Sequence, residues 1–238
     1  MNNLITTKQF VFSSILNSIN TIIWLFFFLT TLNPKTFLFL TSISGDLNSI
    51  YLFLCLLCDI SNYCCKSSKL EPLNDFLRNK LSNVINPMSY LVTILFWALF
   101  FMGGMDDMNT LYMILFNIYE HIFISIFVIV DIIISNHKRH FFSKIVLFFI
   151  YLYLFLYGII CGVATFVYDS PPYPFLKKIK YYILIIYCIS FIVIAFLCYL
   201  LHILIYIIKD KYTNKKIILV NENERINTYV NRESSISK

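Results

Sequence analysis

Long apolar runs alternate with short polar or proline-marked stretches along the whole chain, and most of these runs approach or exceed the roughly 20 residues a helix needs to cross a bilayer core. The alternation predicts six crossings, at about 10–32, 36–58, 88–102, 111–135, 145–167 and 181–208. The first follows Lys8 and stops before the Asn33-Pro34-Lys35 turn. It is too long for a signal-peptide core and has no small-residue cleavage site, so it is expected to be retained. In the polar segment 59–86, Leu73, Phe76, Leu77, Leu81 and Val84 recur at helical spacing among Asp75, Arg78 and Lys80. That pattern predicts a short helix lying on the membrane surface, with Pro87 opening the third crossing. The remaining connections are an acidic loop with Asp106 and Asp107, a basic loop with His137, Lys138, Arg139 and His140, and a stretch around Pro171, Pro172 and Pro174 that forbids a helix interior. The expected organisation is all-α: a polytopic membrane bundle over 1–208 and a polar tail over 209–238.

Composition supports this class. Of the 238 residues, 59% are hydrophobic, 18% aromatic and only 13% charged, against about 25% charged in soluble domains. The net charge of +6 is not gathered on one face as a nucleic-acid partner requires, because the basic residues fall in short runs between crossings. Lys8, four basic residues in 59–87, three in 136–144 and seven in the tail lie on one side; Lys35 and three in 168–180 lie on the other. By the positive-inside rule both termini are expected to be cytosolic.

The seven cysteines do not form a disulfide framework: Cys55, Cys161, Cys188 and Cys198 lie within crossings, and Cys58, Cys64 and Cys65 fall at the expected cytosolic face. No cysteine or histidine pair sits nearby at metal-ligand spacing. Cys64 and Cys65, next to Lys66, are open to palmitoylation or are plain surface cysteines. No glycine-rich phosphate loop occurs, so no metal or nucleotide cofactor is expected. The chain does not end in a lumenal retrieval signal, which leaves endoplasmic reticulum and plasma membrane as the candidate locations.

Two crossings contain polar residues that a bilayer penalises by about 2.5–3.5 kcal/mol for each ionisable group. In the fourth, Asn117, His121 and Ser125 recur at i, i+4, i+8, beside Glu120 and Asp131. In the second, Thr41, Ser44, Gly45 and Asn48 share one face, with Asp46 off it. Both helices run inward from the outer side, and a rise of about 1.5 Å per residue puts Thr41 about 8 Å and His121 about 15 Å below their outer ends. A hydroxyl and an imidazole meeting there form a nucleophile and a base. Two plainer readings stand beside this one. A membrane threonine often bonds its own i−4 carbonyl, and polar stripes often hold helices together.

Three blocks carry a family resemblance. Phe37-Leu38-Phe39-Leu40-Thr41, with Asn48 seven residues on and Leu57-Cys58-Asp59 at the helix end, resembles the nucleophile segment of the androgen-induced protein family. Asn117-Ile118-Tyr119-Glu120-His121, with Asp131 ten residues after the histidine, is similar to that family's Asn-His-x-x-His block and its acidic partner. Tyr173-Pro174-Phe175-Leu176 is similar to the block before its last crossing. Order and spacing agree over roughly 36–206. Ile118, Ser44 and Pro171 depart from the pattern.

The resemblance implies an intramembrane threonine hydrolase of fatty acid esters of hydroxy fatty acids, with Thr41 as nucleophile, His121 as base, and membrane lipids and a lipid ester as partners. Asn48, Asn117 and Asp46 are its candidates for orienting the imidazole or meeting the oxyanion, and the sequence does not choose among them. Two other classes compete: a small transporter relaying ions through Asp46, Glu120, His121 and Asp131, and a non-catalytic membrane scaffold.

Overall fold

The computed structural model describes residues 7–30, 39–64, 68–101, 111–135, 142–169 and 181–236. The Asn33-Pro34-Lys35 turn, the acidic loop, the histidines of the basic loop, Cys65 and the Tyr173-Pro174-Phe175-Leu176 block lie outside them. The described residues are helical, with α1 (Thr7–Thr30), α2 (Leu40–Cys64), α3 (Glu71–Phe76), α4 (Ser82–Phe101), α5 (Leu111–Ile118), α6 (Ile124–Ile134), α7 (Lys144–Phe166) and α8 (Tyr181–Ile236). A π-helical turn, Leu77–Leu81, joins α3 to α4, and a second, Tyr119–Phe123, joins α5 to α6. Six helices among the described residues are long and apolar enough to cross a membrane. The expected all-α, six-span architecture is therefore observed.

Polarity is turned inside out, as a lipid solvent demands. Phe101, Phe155, Phe166 and Ile22 are 80, 65, 79 and 68% exposed, while Asn17, Asn48, Asp59, Asn86, Asp131 and His202 are fully buried. Neighbouring spans run antiparallel. Ser13 near the start of α1 donates to Asp59 late in α2 (3.0 Å), and at the other end Thr30 Oγ1 and Tyr112 OH are 2.7 Å apart. The spans α2 and α4 are central, with α1 against α2 and α6, α8 against α4 and α6, and α7 against α4 and α8.

The expected surface helix is replaced by something different. Residues of α3, the π turn and α4 form one span, Glu71–Ala98, with Pro87 inside it rather than at its start. The reason is electrostatic. Arg78, only 3% exposed, donates from Nη2 to Asp59 Oδ2 (2.7 Å) and from Nη1 to Asp131 Oδ1 (3.4 Å). Its Nε donates to Asn74 Oδ1 (2.9 Å). A residue that by itself argues for the membrane surface is neutralised by two carboxylates from other helices, so its segment enters the bundle. Tyr51 OH (3.1 Å) and Ser135 Oγ (2.6 Å) donate to Asp131, and Lys209 Nζ donates to the Ser135 carbonyl (2.7 Å). This cluster binds α1, α2, α3, α6 and α8 at one end of the bundle.

Replacing Arg78 by alanine leaves two buried carboxylates uncompensated, which is expected to lower stability by about 3–5 kcal/mol. The exposed Lys80→Ala is the matched control. Thermal unfolding of both variants in detergent measures the difference, and equal midpoints would mean that the cluster does not hold the bundle together.

Candidate active site

Thr41 lies in the first turn of α2, which begins at Leu40; residues 36–38, where the crossing is expected to start, lie outside the described residues. Among the described residues the first i→i−4 bond there is Ile43 N to Phe39 O (3.2 Å), which sets the N–H groups of Thr41 and Ser42 in the first turn, at the positive end of the helix. The Leu40 N–H donates to the hydroxyl of Tyr157 on α7 (3.0 Å), which fixes this end of α2 against α7.

Thr41 is half-buried and faces a cavity of ≈ 970 Å³ between the start of α2, the end of α4, and α7 and α8. Val92, Leu95 and Phe96 of α4 form one wall, and Tyr157, Gly158 and Gly162 belong to another. A methyl group placed on Gly158 or Gly162 meets nothing within 4 Å. Phe155 of α7 and Ile192 of α8 line the cavity and are 65 and 49% exposed. These two helices are tied at the opposite end, where Ser143 N donates to Tyr199 OH (2.8 Å).

His121 lies in the second π turn, a deviation of a kind frequent at functional sites. Its ring is 2% exposed and stacks on Phe96, with centroids 3.5 Å apart and planes at 15°. Among the described residues, Nδ1 has no hydrogen-bond partner. Phe96 therefore belongs both to the cavity wall and to the imidazole's packing, while His121 is not among the described wall residues. No hydrogen bond joins Thr41 to His121 among the described residues.

The other candidate residues are held elsewhere. Asn48 donates to Ser44 O (2.8 Å) and Ile85 O (3.3 Å), packing α2 on α4. Asn117 donates back to Met113 O (2.8 Å) on its own helix, and the π turn that follows breaks the i, i+4 line to His121. Asp46 accepts from Trp24 Nε1 (2.8 Å). Glu120 packs against α2, with its Oε1 3.7 Å from where a Gly45 side chain would begin and with Ser42 and Asp46 as polar neighbours. Asp131, ten residues beyond His121 and about 15 Å along the helix, belongs to the Arg78 cluster. The intramembrane acids thus fall into two separate groups.

Sequence reasoning missed Phe96, Trp24 and Tyr157. Phe96 is one of 24 phenylalanines and carries no signal of its own. The other two had one, since an indole N–H or a phenol inside a membrane span needs a polar partner.

The family model for FAR-17a/AIG1-like proteins matches residues 4–207. The chain belongs to this family. The match covers all six spans, including the first, which the three sequence blocks leave out. No curated protein and no solved structure matches the chain. As a FAR-17a/AIG1-like protein it is an integral, multi-pass membrane protein, and its six spans and inverted polarity are the structural form of that membership.

Removing the ring that covers His121 exposes the imidazole. Phe96→Ala is expected to raise the rate of His121 acylation by diethyl pyrocarbonate several-fold over wild type, as mapped by mass spectrometry. An unchanged rate would mean that some other group shields the ring.

Proposed function

We propose that the protein is an intramembrane lipid ester hydrolase in which Thr41 is the nucleophile and His121 the general base. One observation carries this reading. Thr41 stands at a helix N-terminus on the wall of an apolar cavity, and another wall residue, Phe96, is stacked on a buried histidine. The cavity is at the upper end of the range for small-molecule sites, about 300–1,000 Å³, and its apolar lining suits the acyl chain of a substrate arriving by lateral diffusion. Family membership supports the same reading through the resemblance of the Thr41 and His121 blocks.

In the proposed reaction His121 takes the Thr41 hydroxyl proton as Oγ1 attacks the ester carbonyl, and then gives it to the departing alcohol. The resulting acyl-threonine is cleaved by water: the same imidazole removes the water's proton and returns it to Thr41 Oγ1 as the acyl–oxygen bond breaks and the fatty acid leaves. The first-turn N–H groups of α2 are the donors for the oxyanion, aided by the helix dipole. For proton transfer the imidazole must leave its stack on Phe96, in keeping with catalytic hydrogen bonds that tighten only when substrate is bound. Fatty acid esters of hydroxy fatty acids are the proposed substrate class. Cytosolic termini, and residence in the endoplasmic reticulum or plasma membrane, are part of the same proposal and put Thr41 in the outer half of the bilayer.

The relay alternative gains nothing from this arrangement. Asp131 is bonded to Arg78, Ser135 and Tyr51, and Asp46 to Trp24, so among the described residues these two acids are held in separate hydrogen-bonded groups.

A fluorophosphonate probe is expected to label the wild-type protein covalently and to lose that label in both Thr41→Ala and His121→Ala. Ester hydrolysis should fall at least about 100-fold in each, the low end of what a positioned base contributes. Equal labelling in all three folded proteins, or none in any, would reject the hydrolase reading. Gly162→Leu, which fills the cavity, is expected to reduce hydrolysis of long-chain esters more than of short-chain ones; an equal effect on both would show that the acyl chain binds elsewhere.

A further inference from the structure

The middle of the bundle contains polar groups that neither the Arg78 cluster nor the cavity uses. Asn83, Asn86 and Tyr90 fall at i, i+3, i+7 on one face of α4. Asn48 of α2 reaches this face at the Ile85 carbonyl (3.3 Å). His202 of α8 reaches it at Asn83 Oδ1 (3.1 Å), with its ring centroid 6.1 Å from that of Tyr90. All five side chains are 0–3% exposed. Among the described residues, Asn48 Oδ1, both amide atoms of Asn86 and the Tyr90 hydroxyl have no hydrogen-bond partner.

Four such atoms gathered on two adjoining helices have a common chemical solution. They comprise two acceptors, one amide donor and a hydroxyl that both gives and takes, and none of these three side chains is charged. A guest that meets them must donate and accept together, be neutral, and be small enough to sit beside residues with almost no accessible surface. Inside a bilayer the surroundings offer no other partner, and buried water is what ordinarily fills such a position. We propose that the α2–α4–α8 interface holds a site for ordered water, with Asn48, Asn86 and Tyr90 as its ligands. Val92, two residues beyond Tyr90 and about 3 Å further along α4, belongs to the cavity wall, so the site and the cavity lie at neighbouring levels of the bundle. The site itself does not depend on the proposed hydrolysis.

X-ray radiolysis tests the proposal without any activity measurement, because hydroxyl radicals formed from a bound water modify the side chain next to it. Full-length protein in lipid nanodiscs supplies its own references. Tyr51 is 1% exposed and has its hydroxyl bonded to Asp131, and Tyr168 is 73% exposed. Tyr90, itself only 3% exposed, is expected to be modified at least about fivefold faster than Tyr51, since buried water lies where polar atoms are otherwise unmet. In Asn86→Leu its rate is expected to fall toward that of Tyr51 with Tyr168 unchanged. Wild-type Tyr90 reacting no faster than Tyr51, while Tyr168 is modified normally, would overturn the proposal whatever the variant does. So would an undiminished Tyr90 rate in folded Asn86→Leu.

Discussion

Arg78 joins two carboxylates that come from other helices, and the arrangement of the bundle follows from that neutralisation. A guanidinium and two carboxylates withdrawn from water are tolerated only when each meets its partner at once. Asp59 comes from α2, Arg78 from the turn after α3 and Asp131 from α6, so the three meet only when those helices are already assembled. Ser13 adds α1, and Lys209, through the Ser135 carbonyl, adds α8. One end of the molecule is thereby fixed by charge.

At the opposite end the described residues of α2, α4, α7 and α8 surround the apolar cavity. There the Tyr157 hydroxyl accepts from the Leu40 N–H at the start of α2. Thr41 gains its surroundings from this construction: a helix N-terminus behind it, an apolar space before it and Phe96 in the same wall. The division also explains why acids that lie within one span serve different purposes. Glu120 faces α2 at Gly45, while Asp131 neutralises Arg78.

Both π turns coincide with the ionisable residues that matter most, Leu77–Leu81 with Arg78 and Tyr119–Phe123 with Glu120 and His121. Each turn adds a residue to the helical repeat and so re-aims the side chains that follow. The uncharged cluster around Asn86 gives the middle of the bundle a polar interior as well.

By itself the sequence determined the class of molecule, the number of spans and the family. Apolar run length and scarcity of charge are local properties that no packing can reverse in a lipid solvent, and the blocks around Thr41 and His121 are contiguous. Helix ends were less legible: the third span takes in Glu71–Phe76 and the turn before α4, with Pro87 inside it rather than at its start. The segment containing Arg78 was read as lying on the membrane surface because the sequence shows a cation and not its neutralising partners, 19 and 53 positions away. Asn117 shares an ideal helical line with His121, and only the folded π turn removes it. That Phe96 stands between the cavity and the imidazole is a matter of which helix faces which. Tertiary structure alone decided that, because a ring stack between α4 and the turn before α6 leaves no periodicity in either segment.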